Sequence, residues 1–389
     1  MRRLLFATVL ALAAAAEGSW TRFGLVEVAD RAGFSEAADK FSTDTGNMML
    51  GLLVRGLLVK LPGVELFGDA RQGVPSAYVL LADGRRSVAA FLYPVKGGKA
   101  AFMTRHPALK ETDGVFEVRE DDERRYVVFS ADGLWAACAG RRDAAALALS
   151  ATGLVGTRLG AKLVNFDLDP QAAPEVFGEY GDFRRVSRVT GAVQLGDRGL
   201  DLRAVLKGAA GAGASAAPLG ERPLAFAAGD SLVAWASSGA GNAAVESVTN
   251  ALGELRREFA GKGMPLRFDV NGGRGAVRLD GYRAARTPEQ LGAKMFPEYA
   301  RVPPNAVAAG SLYGLVRALG AVYLADGMPA ERAKLLKSVF ARLPDGGAGG
   351  TGFVSWCQGD SIFAVLRVST AELADIAKAL PAVFAAGLM

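Results

Sequence analysis

Along this chain, short apolar runs come in pairs, with a glycine-containing turn between them and a helix-period stretch after them. Tyr78–Leu81 leads through Asp83-Gly84 into Val88–Val95, and a helical stretch starts near Lys99. Tyr126–Ser130 leads through Asp132-Gly133 into Leu134–Ala139, with a helix from about Arg142. Leu266–Val270, Asn271-Gly272-Gly273 and Ala276–Leu279 repeat the pattern, with a helix from about Pro288. So do Phe353–Cys357, Gln358-Gly359-Asp360 and Ile362–Val368, with a helix from about Thr370. Asp-Gly and Asn-Gly between apolar runs predict hairpins, because those residues accept the positive φ that tight turns need. A further hairpin is expected at Val189–Leu195 and Leu200–Leu206, turning at Gly196-Asp197-Arg198-Gly199.

Period-two alternation is clean at Leu266, Phe268 and Val270, with Arg267 and Asp269 opposite. Helical period shows at Val245, Val248, Leu252, Leu255 and Phe259, one buried stripe with charges between. Ser369 and Glu372 have the spacing of a capping box ahead of Leu373, Ile376 and Leu380. A helix pair is expected over about 312–343, broken near Gly327-Met328-Pro329. Together these predict an α+β fold of tandem strand-helix-hairpin-helix units, each an antiparallel sheet covered by helices on one face.

The expected organisation is a signal peptide over 1–16 and a first, decorated α+β unit over 17–152. A hairpin-containing connector follows over 153–220, then second and third units over 221–300 and 301–389. The connector ends in the low-complexity stretch Gly208–Gly220, and a second flexible stretch lies at Gly346–Gly352.

The first residues set the expected location. Arg2 and Arg3 precede an apolar run from Leu4 to Ala13, and Ala14-Ala15-Ala16 supplies small residues for cleavage before Glu17. The mature protein is therefore expected to be exported and soluble, periplasmic or extracellular. The strongest other apolar stretch, Met48–Leu61, is interrupted by Arg55 and Lys60. As a helix it would reach about 21 Å, short of a bilayer core, so no transmembrane segment is expected in the mature chain.

Charge narrows the partners. The sequence has 45 Lys plus Arg against 40 Asp plus Glu, a formal +5. Without Arg2 and Arg3 the balance is 43 against 40, or +3. No basic stripe is present, so nucleic acid is not an expected partner; an unidentified protein or an apolar ligand is.

Composition removes most chemistries. His106 is the one histidine, which excludes multi-histidine metal sites. Gly229-Asp230-Ser231-Leu232 spells the nucleophile block of GDSL-type hydrolases, but the required base is absent downstream, and Gly359-Asp360-Ser361-Ile362 repeats nearly the same letters in a turn. Gly239-Ala240-Gly241-Asn242-Ala243-Ala244 sits where a dinucleotide fingerprint would, without its last glycine or the later acidic residue. It reads as a plain strand-to-helix turn. Glu120-Asp121-Asp122-Glu123 reads as a solvated hairpin tip, since calcium loops alternate ligands with spacers. Asp167 and Asp169 fit a strand's outward face, and His106 fits a helix end. Cys138 and Cys357 sit in hairpin strands beside Trp135 and Trp356 and are expected to be buried thiols. No catalytic, cofactor-binding or metal-ligating set emerges; Ala16 and Glu17, flanking the cleavage point, are the only site residues assigned. The expected function is that of an exported, non-catalytic binding or scaffold protein of the cell envelope. A lipid-like apolar-ligand carrier and an enzyme of unrecognised type are the alternatives.

Overall fold

The computed structural model describes residues 20–45, 48, 64–120, 123–157, 159, 162–177, 185–196, 198–208, 219, 223–227, 231–237, 266–271, 274–279, 306–312, 329–340 and 350–376. The chain divides into two compact units, residues 1–43 with 51–194, and 44–50 with 195–389.

The first unit contains β1 (Thr21–Val28), α1 (Arg31–Thr45), α2 (Val64–Phe67), β2 (Ser76–Asp83), β3 (Arg86–Pro94) and α3 (Gly98–Arg105). It continues with β4 (Glu111–Thr112), β5 (Val115–Glu120), β6 (Glu123–Phe129), β7 (Trp135–Ala139), α4 (Arg142–Ala148), β8 (Val164–Leu168) and β9 (Arg188–Gly196). The strands form an antiparallel sheet in the order β9-β8-β1-β2-β3-β7-β6-β5-β4. Both faces are covered. Val79, Leu81, Leu92 and Ala137 pack on one side with Ala144, Ala145 and Ala148 of α4. On the other, Phe91, Tyr93, Phe116 and Cys138 pack with Phe67 of α2 and Phe102 of α3.

The β2–β3 and β6–β7 strands pair as hairpins, as expected from the sequence. At the β6–β7 turn Gly133 has φ 70°. Asp132 Oδ1 there accepts from Ser130 Oγ at 2.5 Å and from the Leu134 N–H at 2.9 Å. The Ser130 hydroxyl, more than the other contacts, holds the Asp132 carboxyl below the usual carboxylate range. Helix α1 is an element the hairpin pattern did not announce. Asp30 starts it, its Oδ1 accepting from Gly33 N–H at 2.9 Å and its Oδ2 from Gly73 N–H at 2.7 Å. Phe34, Ala38 and Phe41, spaced four and three apart, are its buried stripe.

The second unit contains β10 (Gly199–Lys207), β11 (Ser231–Ser237), β12 (Leu266–Asn271), β13 (Arg274–Leu279), β14 (Ala306–Leu312), α5 (Ala330–Phe340), β15 (Thr351–Gln358) and β16 (Ser361–Ser369). A further helix, α6, begins at 370 and is described to 376. Ser369 caps it: its Oγ accepts from the Glu372 N–H at 3.2 Å and the Gly350 N–H at 2.8 Å. The strand order is β12-β13-β11-β14-β15-β16-β10, antiparallel throughout the pairs described.

This architecture corrects the expected fold class. Tandem units, each with its own sheet under helices on one face, are not what forms. The first strands of the two supposed repeats, β11 and β14, pair directly, Trp235 opposite Gly310, and merge their hairpins into one sheet. The described helices are few beside the strands, and in the first unit they lie on both faces. The physical reason is edge satisfaction. A small hairpin leaves unpaired N–H and C=O groups along its rim, and pairing with another strand removes them. The expected stretches 1–16, 51–61, 209–218, 239–259, 288–296 and 341–349 lie outside the described residues.

Two glycines make the second unit's sheet possible. A methyl group at Gly275 would stand inside the indole of Trp235, its cross-strand partner. One at Gly310 would stand inside the ring of Phe353, its partner on β15. Each aromatic ring lies flat across the bare backbone of the neighbouring strand. Gly275→Ala is therefore expected to lower stability by about 1–3 kcal/mol, the cost of overpacking a filled site. Urea denaturation would measure it, and an unchanged midpoint would contradict the packing.

Candidate binding face

Directly paired residues of an antiparallel ladder carry their side chains to the same face, so the register sorts every strand residue of the second unit. One face takes Asp201, Arg203 and Lys207 of β10, Arg367 of β16, and Arg274 and Arg278 of β13. The opposite face, over all described positions of these strands, has no charged residue.

Burial on the charged face is uneven: Arg203, Lys207, Arg267, Asp269 and Arg274 are exposed, whereas Asp201 and Arg367 are 6% and 4% exposed. Arg367 Nε and Nη2 donate to Asp201 Oδ1 and Oδ2 at 2.6 and 2.7 Å, a bidentate pair, and Arg203 Nη2 adds a bond to Oδ2 at 3.1 Å. Burial alone pushes the Asp201 carboxyl up. The hydrogen bonds and charge of Arg367, followed by those of Arg203, outweigh it and hold the carboxyl below its ordinary value. Leu224 and Ala227 pack on Ala234 and Ala236 of the same face. On the uncharged face, by contrast, Leu200, Leu202, Leu206, Ile362, Phe353 and Val368 are only half-buried, and Leu366 is 37% exposed.

The relief of that face follows its sequence. Leu202, Leu366 and Phe353 make one row across β10, β16 and β15, and Leu206, Ile362 and Cys357 make another. Between them runs a row of small residues, Ala204, Ala364, Ser355, Ala308 and Ser237, each paired with the next across five strands. The row is half-buried from β10 to β14 and closes at Ser237 on β11. Ser237 Oγ is buried and has no hydrogen-bond partner; neither has the indole Nε1 of Trp235, two residues before it.

The residues singled out in the sequence are dispersed. Ser231 is fully buried at the start of β11, its Oγ without a hydrogen-bond partner. Ser361 Oγ, in the repeated motif, donates to Asp360 Oδ1 at 2.8 Å. His106 ends α3 as read: its N–H bonds the Phe102 carbonyl at 3.0 Å, and Nε2–H donates to the Leu66 carbonyl at 2.7 Å. Asp167 is held by Arg188, whose Nε and Nη2 each donate at 2.6 Å, while Asp169 Oδ1 caps a short turn through Gln171 and Ala172. Glu120 and Glu123 pair across the β5–β6 tip, and Glu123 is exposed. Cys138 is buried on β7 and Cys357 half-buried on β15; both are thiols, and burial pushes the Cys357 thiol up. Ala16, Glu17 and Gly239–Ala244 lie outside the described residues.

Sequence reading missed a buried carboxylate as well as the uncharged face. Glu27, 1% exposed on β1, accepts from the Gly156 N–H at 2.5 Å and from Asn165 Nδ2 at 3.1 Å. Lys162 Nζ donates in turn to Asn165 Oδ1 at 3.4 Å. Its one sequence signal is an acidic residue inside the apolar strand Thr21–Val28. Among the described residues no group of three or more His, Cys, Asp or Glu side chains could hold a metal ion. Nor is any described helix long and apolar enough to cross a membrane.

No family model and no curated protein matches the chain. Among solved structures, crystal forms III and I of TP0453 align at 8% and 9% identity, with TM-scores of 0.27 and 0.26. Each alignment covers 67% of this chain, and 90% and 88% of the respective TP0453 chains.

Proposed function

We propose that this chain is an exported, non-catalytic binding protein of the cell envelope that presents the uncharged sheet face of its second unit to a ligand or partner. The observation that carries the reading is the row of leucines and a phenylalanine, Leu202, Leu366 and Phe353, with Leu206 and Ile362 beside it. These side chains stand partly exposed on a face with no charged residue among the described positions. Water disfavours a contiguous apolar patch, and soluble proteins keep large ones chiefly where something binds. The leader-like residues before Glu17 supply the export half of the reading.

In a bacterial host, the full chain is expected to be cleaved between Ala16 and Glu17 and recovered outside the cytoplasm. The purified mature chain is expected to enhance the fluorescence of a naphthalene-sulfonate dye saturably, and Leu366→Glu to weaken that binding severalfold with the thermal midpoint little changed. An uncleaved cytoplasmic protein, or dye binding indifferent to Leu366→Glu, would refute the corresponding half.

A further inference from the structure

Resting on that reading, we infer that the row of small residues on the uncharged face is a trough for one neutral acyl lipid. Its chain would lie across β10, β16, β15 and β14, and its carbonyl would be held at Ser237. Three independent observations converge on this ligand.

The first is shape. Ala204, Ala364, Ser355 and Ala308 are directly paired in sequence across the strands, so their short side chains leave a continuous depression. Leu202, Leu366 and Phe353 wall it on one side, and Leu206, Ile362 and Cys357 on the other. At ordinary strand spacing the row is about 19 Å long, enough to seat a long acyl chain. Branched or ring-fused molecules would meet the walls.

The second is hydrogen bonding at the closed end. Ser237 is 9% exposed, and its Oγ has no hydrogen-bond partner. A buried hydroxyl without a partner is costly. A ligand oxygen at this end would satisfy it.

The third is charge. No described position on this face carries a cation, so a carboxylate buried there would lack compensation. A carbonyl or ester oxygen accepts the Ser237 hydroxyl's bond without that cost. A neutral ester is therefore favoured over a free fatty acid.

The test is calorimetric titration of the mature full-length chain with monopalmitoylglycerol and with palmitate, both below micelle formation, beside the naphthalene-sulfonate dye. Monopalmitoylglycerol is expected to bind one to one and to displace the dye. Palmitate is expected to bind at least about tenfold more weakly, one decade being a modest charge penalty. Ser237→Ala preserves the volume of the site and should weaken the ester about three- to tenfold, the value of one hydrogen bond. Ala364→Leu fills the trough and should abolish binding; Ser355→Leu is the second blocking variant should the first not fold. Dye binding without lipid binding would overturn this ligand and leave the binding face standing, whereas loss of both would overturn the face as well. Palmitate binding as tightly as the ester would overturn the neutral head group. Ester binding unchanged in both blocking variants would overturn the trough.

Discussion

Asp201→Ala is expected to destabilise the second unit by about 3–5 kcal/mol, the range for removing one partner of a buried ion pair. The reason is what it leaves behind. Arg367 is 4% exposed and gives both Nε and Nη2 to Asp201, so without the carboxylate a guanidinium is buried with its principal acceptor gone. The same geometry predicts a pH dependence. The folded carboxyl lies below its ordinary value, so the unfolded chain takes up its proton first as pH falls. This contribution is therefore complete above the unfolded value of about 3.9 and is lost as pH drops through the folded value. Denaturation curves from neutral pH into that acid range should show the wild type losing stability that Asp201→Ala never had. Equal acid sensitivity in both proteins would contradict the assignment. The double replacement Asp201→Leu/Arg367→Met should recover much of the loss, because a well-packed apolar pair costs no desolvation.

Phe102→Ala is expected to cost about 3–5 kcal/mol in the first unit, as large-to-small changes at fully buried aromatics do. Phe102 is wholly buried on α3, with ring centroids 5.7 Å from Phe67, 5.3 Å from Phe116, 5.3 Å from Phe129 and 4.8 Å from His106. It joins α2, α3 and the β5–β6–β7 strands, so the void has walls on several elements and cannot collapse onto one. Chemical denaturation would measure the loss, and Phe102→Leu should recover about half of it by refilling part of the volume. A loss under about 1 kcal/mol would mean that the cluster closes over the gap, contrary to the close packing of protein interiors.

How far the fold was legible follows the range of each interaction. The β2–β3, β6–β7, β12–β13 and β15–β16 hairpins were readable because a turn of two to a few residues and its flanking apolar runs are neighbours in sequence. The α6 cap was readable for the same reason, Ser369 and Glu372 being one turn apart. Helix α1 carries a local signal too, Asp30 followed by Phe34, Ala38 and Phe41, outside the repeated hairpin pattern. The assembly of hairpins into extended sheets was not readable. It depends on β11 meeting β14, strands some seventy residues apart, and β10 meeting β16, more than 150 apart, and no short-range pattern encodes such a meeting.

The candidate face divides the same way. Alternation of Leu200, Leu202, Ala204 and Leu206 with Asp201, Arg203 and Lys207 is in the sequence and by itself determines that β10 has a charged and an uncharged side. The ordinary inference from it is that the charged side faces water. Tertiary structure splits that side: Arg203 and Lys207 stay exposed, whereas Arg367 arrives opposite Asp201 on β16 and the two neutralise each other out of solvent. Pairing also brought five small residues from five strands into one line. What the sequence alone determined was therefore the local turns, the caps and the two-sidedness of each strand, set by contacts within a few residues. Which side is buried, and where a groove runs, was decided by cross-strand register, a property of strand pairs that no single segment contains.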